Sequence, residues 1–589
     1  MRRKFFGWIA VSLCAAAAAV SGCSGNGGDA SEYVVPSIPG LDVGERYLSY
    51  LVNDYQSTDN CRLVVTTVGT DQNDTTERDV KVSTNANYSA AGKVDAEDEE
   101  APAVKKGQEE FKGRVCGFDD FVQKGRTAKK MDAASFKALE AKADKAPSFK
   151  GKEAGYVDYL WLMSGGSEED KGYALVPVAK VLDDEDTVHC NILSYVETDE
   201  KGYMTPAVSK EEALLIAKVF DTYNPCDPSG KNRGIYDSVT SMSGHEWIKN
   251  GGRDGDSRIN IVLLTAENMG GALGYVAAND ILNYVDPNDE DSDPSYSNQG
   301  EYIYVDYESI IQSGGNYNGN TLAHTLAHEL THLVYNNHKF YHDGSMSGLS
   351  IYDSYDEFAD KYIPIKEKLI LSEGLAETNA TRCGYGVRYA KDGSSPDRSA
   401  ECNSLTFISH YLSGSSEETT FPVSFFQANS ATAYPAGHLF GLHVLNYYGE
   451  DKLNKLYTSA YTGTQNLEEA LGIPAGDVVH NYNMAVSLAG YDNIPAKYEI
   501  PYVNIGGENF FCYGSDYSID TMTVNRAGSI GKIYTKTGYN VMSCLPWYHV
   551  LLDLPCSYTT PLGVGVVVPD NARVNLIRTD SNDKFVDLY

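Results

Sequence analysis

The chain has 589 residues, with 81 Asp and Glu against 48 Lys and Arg and a formal net charge of −33. So acidic a surface repels phosphate backbones and anionic lipid, which excludes nucleic-acid binding and charge-driven membrane adhesion and suits a protein that stays in solution. The length calls for several domains, and the pattern of elements predicts a multidomain α+β chain.

Met1-Arg2-Arg3-Lys4 is a charged start, and the alanine-rich apolar run from Phe5 to Val20 is too short to span a bilayer. Val20-Ser21-Gly22-Cys23 reads as a bacterial lipobox. Residues 1–22 are therefore expected to be a lipoprotein signal peptide, with Cys23 as the lipid attachment site and 23–32 as a Gly-rich flexible tether. The rest of the chain is then expected outside the cytoplasm, in a bacterial cell envelope, held to a membrane by its lipid at the outer membrane or cell surface.

Residues 33–200 carry short β-like runs, such as Arg62 to Val68, Tyr156 to Met163 and Tyr173 to Val178, and are expected to form a β-rich N-terminal domain. A charged insert at about 91–152, with Asp95-Ala96-Glu97-Asp98-Glu99-Glu100, interrupts them. Residues 201–495 are expected to form a second domain of mixed sheet and helices. It opens at Ser209, which with Glu212 has the spacing of a capping box. Ile259 to Leu264 and Glu301 to Asp306 read as strands. The run Asp286 to Asp293 clusters hard oxygen ligands, and Ca2+ is a weak alternative there to a plain acidic loop. After about 495 the pattern changes to short Thr-, Val- and Tyr-rich strands with Gly turns, so 496–589 reads as a small all-β domain.

Chemistry concentrates in the second domain. His328-Glu329-Leu330-Thr331-His332 reads H-E-x-x-H. Two imidazoles four residues apart leave the same helix face and reach one metal ion, with the glutamate placed to take a proton from a water activated there. Leu322, Leu326, Leu330 and Leu333 form an apolar stripe along this helix, with Asn318 or Asn320 as its cap and Asn336-Asn337 as its end. Zinc needs a third protein ligand and an open position. Glu373, in Leu371-Ser372-Glu373-Gly374-Leu375-Ala376-Glu377, is the candidate, with Glu377 one turn on accepting a hydrogen bond from a ligand histidine. His324 lies too far along the helix to share one tetrahedral site with both motif histidines and is read as a neighbour in the cleft. His338 and His342 do not match the longer metzincin spacing.

These motifs resemble the gluzincins, and the Glu-Gly-Leu-Ala-Glu form at 373–377 is similar to the hyicolysin-type bacterial metallopeptidases. The resemblance covers roughly residues 205–495 and implies a gluzincin-like catalytic domain. It implies that the strand before the metal helix borders the cleft and pairs with an extended peptide. It also points to Tyr434-Pro435-Ala436-Gly437-His438 as a turn before a helix, carrying the donor that steadies the oxyanion, with Tyr434 first and His438 second. Zinc held by His328, His332 and Glu373, with Glu329 as base, then gives a surface-anchored zinc endopeptidase acting on protein or peptide substrates. Ala266-Glu267-Asn268-Met269-Gly270 has the letters of an aminopeptidase motif in the wrong order, which favours endopeptidase action. The alternatives are a catalytically silent envelope lipoprotein that binds host or matrix protein, and a glycan-binding envelope protein.

Of 11 cysteines, Cys383 with Cys402 and Cys544 with Cys556 are candidate disulfides of an exported chain. No cysteine has zinc-finger spacing, and oligomeric state has no signature in the sequence.

Overall fold

A computed structural model describes residues 41–52, 60–84, 148–164, 172–223, 233–246, 254–269, 272–277, 280, 297–312, 320–342, 345–346, 352–356, 361–364, 367–384, 424–428, 430–488, 491–498, 502–505, 508–511, 531–532, 540–554, 562–580 and 584–589. The lipobox, the tether, nearly all of the charged insert, the acidic run at 286–293, Cys402 and Cys556 lie outside these residues.

The fold is mixed α+β with several sheets. Strands β1 (Glu45–Val52), β2 (Asn60–Thr66) and β3 (Arg78–Thr84) open the described chain. Next come β4 (Val157–Ser164), β5 (Gly172–Lys180), β6 (Cys190–Thr198) and β7 (Met204–Pro206). Helix α1 (Lys210–Asp221) starts at the expected capping box: Ser209 Oγ accepts from the Glu212 amide, and Glu212 Oε2 accepts from the Ser209 amide at 2.9 Å. Helix α2 (Ile235–Ser243), then β8 (Ile259–Leu264), β9 (Gly274–Tyr275) and β10 (Tyr302–Asp306), complete a seven-stranded sheet of order β4-β5-β6-β8-β10-β9, with β7 on β6. β8 runs parallel to both of its neighbours and is buried on both faces. Its alternation sorts Ile259, Ile261 and Leu263 to one apolar cluster and Val262 and Leu264 to the other.

Helix α3 (Tyr307–Gln312) leads to α4 (Asn320–Phe340), whose predicted stripe Leu322, Leu326, Leu330 and Leu333 packs into the first of those clusters. Helix α4 runs past the expected stop at Asn336-Asn337. Both residues are buried, and the Asn337 side chain donates to the His245 carbonyl, a tertiary partner, rather than ending the helix. Helix α5 (Leu369–Arg382) is buried along almost its whole length between α4 and α6 (Ser430–Tyr447). Helices α7 (Glu450–Thr458), α8 (Gly463–Leu471) and α9 (Ala475–Leu488) follow.

The chain ends in β11 (Gly531–Lys532), β12 (Asn540–Cys544), β13 (His549–Leu554), β14 (Leu562–Pro569), β15 (Arg573–Thr579) and β16 (Phe585–Leu588). They do not form a separate domain at 496–589. β1 and β3 pair with β14, and β3 also with β12, in one sheet. β2 pairs with β13 and β15 in the other. The expected N-terminal unit 33–200 is thereby divided: β1–β3 join the chain's last strands, and β4–β6 belong to the seven-stranded sheet. Leu63 and Val65 face the opposite sheet, while Val64 faces the helices, so the five-stranded sheet is sandwiched between its partner sheet and α9. Among the described residues no helix is long and apolar enough to cross a membrane.

Candidate metal centre

Helix α4 projects His328 and His332 from one face, and α5 presents Glu373 opposite them. His332 Nε2 lies 3.0 Å from His328 Nε2, and Glu373 Oε2 lies 3.2 Å from His328 Nε2 and 3.3 Å from His332 Nε2. Tetrahedral arms of about 2.0–2.2 Å give ligand-to-ligand edges of roughly 3.3–3.5 Å, so the triangle closes around one ion with little adjustment. This buried trio can hold a metal ion, and it is the one such group among the described residues.

The electrostatics of the trio point the same way. Burial alone would lower the His328 pKa, but the carboxylates of Glu373 and Glu377 reverse this and raise it to about 10. Burial would raise Glu373, and the His332 charge with hydrogen bonds from both imidazoles instead holds it at about 2. Three lone pairs aimed at one another would repel, so these close distances call for ring protons or a metal ion among them.

Each imidazole is also steadied from behind. His328 Nδ1 lies 3.1 Å from Glu377 Oε1, although the ring N–H is not aimed squarely at it. His332 Nδ1 lies 3.4 Å from Ser372 Oγ. Ser372 had no signal in the sequence beyond its place beside Glu373. His324 does not join the trio: its ring centre is 6.2 Å from that of His328, and its Nε2 lies 3.2 Å from Glu377 Oε2.

Glu329 is buried under β9, the last strand of the seven-stranded sheet among the described residues. A Cβ on Gly274 would stand 2.8 Å from Glu329 Oε1 and 2.6 Å from Thr325 Cγ2, so only glycine lets this strand lie so close to the motif. The strand expected to border the cleft, β10, has β8 on one side and, at Tyr304 and Val305, β9 on the other.

Tyr434 stacks on His328, with ring centres 6.0 Å apart and planes 11° from parallel. It lies within α6 rather than in a turn before it, since the helix begins at Ser430 and carries Pro435 inside. His438 is turned to Thr381, whose Oγ1 is 2.8 Å from its Nε2, and burial pushes its pKa down to about 4. The two helices meet at glycines: a Cβ on Gly374 would lie 2.2 Å from the Gly437 carbonyl carbon. That contact sets α5, which carries Glu373, against α6, which carries Tyr434, and its traces in the sequence were the glycines at 374 and 437.

No protein-family model matches the chain, and no curated protein matches it.

Proposed function

We propose that the chain is a zinc-dependent endopeptidase of gluzincin type, anchored at a bacterial cell surface through lipid on Cys23. The observation that carries this reading is the buried His328, His332 and Glu373 triangle with Glu329 between its two histidines on one helix. The donor set of two imidazoles and one carboxylate suits zinc, which leaves an open position for water or substrate. Bound there, zinc supplies Lewis acidity, bringing the pKa of water towards 7 and polarising a peptide carbonyl.

The chain's own residues do the rest. Glu329 takes the proton of the attacking water and passes it to the leaving amine. Tyr434, stacked against His328, donates its phenolic hydrogen where negative charge develops on the carbonyl oxygen. Strand β9, outermost of the seven-stranded sheet among the described residues and close against Glu329, offers main-chain groups to an extended peptide with little sequence preference. Glu377 and Ser372 keep the ligand rings oriented.

The test is casein hydrolysis by the soluble chain after Cys23, loaded with zinc, beside its Glu329→Gln variant. Cleavage at internal bonds by the parent and none by the variant supports the reading. Zinc bound without cleavage in either favours the silent binding lipoprotein.

A further inference from the structure

Helix α4 carries a third histidine that neither the metal triangle nor the proton path uses. His324 is fully buried, one turn before His328. Its Nε2 reaches Glu377 Oε2 at 3.2 Å, and the other oxygen of that carboxylate faces His328 Nδ1 at 3.1 Å. Two imidazoles of one helix thus face the two oxygens of one carboxylate on the next helix, His324 at hydrogen-bonding geometry and His328 in close charge contact. A buried carboxylate is costly wherever an oxygen lacks a donor. A carboxylate held through one oxygen alone is free to turn about its last bond, carrying the other oxygen off its partner.

The orientation matters because a histidine that ligates through Nε2 carries its proton on Nδ1, and the acceptor of that proton sets the ring's tautomer, direction and basicity. We propose that His324 is a positioning residue for the metal: by anchoring Glu377 Oε2 it holds Oε1 on His328 Nδ1 and so presents His328 Nε2 to the ion. The proposal rests on the metal-binding reading above. It does not depend on the charge of His324, since a neutral ring protonated on Nε2 and a doubly protonated ring both donate to Glu377.

The experiment measures zinc affinity by chelator competition on the full soluble chain, for the parent, His324→Leu, His324→Gln, Glu377→Ala and His324→Leu with Glu377→Ala, each checked for folding by thermal melting. Leucine fills the space without a donor, whereas the Gln amide reaches as far as Nε2. His324→Leu is expected to weaken zinc about 10-fold, the lower end of what loss of a ligand's supporting partner costs. His324→Gln should stay within about twofold of the parent, and His324→Leu should add nothing once Glu377 is gone. Equal losses for Leu and Gln, no loss for Leu, or the same loss in the Glu377→Ala background would overturn the proposal. If His324→Leu does not fold, His324→Asn, whose amide is too short to reach Oε2, takes its place with the same expectations. A parent chain that binds no zinc refutes the metal reading itself, which is a different result from a parent that binds zinc and a His324 variant that binds equally well.

Discussion

Gly374→Ala tests whether the crossing of α5 and α6 sets the metal geometry. A Cβ there would lie 2.2 Å from the Gly437 carbonyl carbon, 2.3 Å from its Cα and 2.5 Å from its oxygen. These are backbone atoms and cannot rotate away. Carbon atoms rest no closer than about 3.5 Å, so the helices must part by roughly 1.3 Å. Overpacking of this kind costs about 1–3 kcal/mol, and the better helix propensity of alanine returns up to about 1 kcal/mol, leaving a net loss of about 1 kcal/mol. The displacement reaches the site directly, because Glu373 is the adjacent residue and Tyr434 rides on α6. Metal distances tolerate only about 0.2 Å, so zinc affinity should fall at least tenfold, more than the stability change alone would suggest. Thermal melting and chelator competition on the same preparation read both effects. A variant with the parent's melting temperature and zinc affinity would show that the glycine contact does not hold the site.

Three further outcomes are expected. Glu329→Gln should bind zinc within about twofold of the parent yet lose hydrolysis by at least about 10²-fold, since it removes the base and no ligand; equal activity would remove Glu329 from the mechanism. Glu373→Ala should abolish stable zinc binding and lower the melting temperature of the metal-free chain, since His328 and His332 lose a buried charge partner, and retained stoichiometric zinc would place the third ligand elsewhere. The joint between α9 and the sandwich should be acid-labile. His480 Nδ1 is 2.9 Å from Thr66 Oγ1 and its Nε2 2.7 Å from Asn575 Oδ1, while His549 Nε2 is 2.9 Å from Ser487 Oγ. Burial pushes His480 to about 4, and burial with the charges of His480 and Arg62 pushes His549 to about 3. Folded values lie below the unfolded value of about 6.5, so the unfolded chain takes up protons first: stability is complete above pH of about 6.5 and falls by about 2 kcal/mol per histidine by pH of about 5. Melting curves of the parent and of His480→Gln with His549→Gln across that range check this, and identical pH slopes would refute it.

The helix that carries His328 and His332 was legible because its evidence is local. Leucines at 322, 326, 330 and 333 repeat with the helix period, and all four are buried as the period requires. Glu373 and Glu377 were legible for the same reason, being one turn apart on a second helix. Strand partners were not. β2 and β15 lie at opposite ends of the chain, and a short alternating strand records which face is apolar but not which strand lies beside it. β9 is only two residues long and left no pattern, and the gluzincin resemblance points to β10 as the strand beside the cleft. At 434–437 the local letters misled: Pro435 and Gly437 read as a turn, yet both sit inside α6. There the glycine serves the crossing with α5 rather than a bend, and packing outweighs propensity. Asn336 and Asn337 misled likewise, since the partner that keeps Asn337 helical, the His245 carbonyl, is remote in sequence.

The most direct measurement is hydrolysis as a function of zinc added to the metal-stripped soluble chain. Activity should be absent without metal, rise in proportion to zinc and level off at one ion per chain, with Glu373→Ala flat throughout. Turnover by the stripped chain, or a Glu373→Ala response that follows the parent's, would contradict a zinc peptidase built on His328, His332 and Glu373.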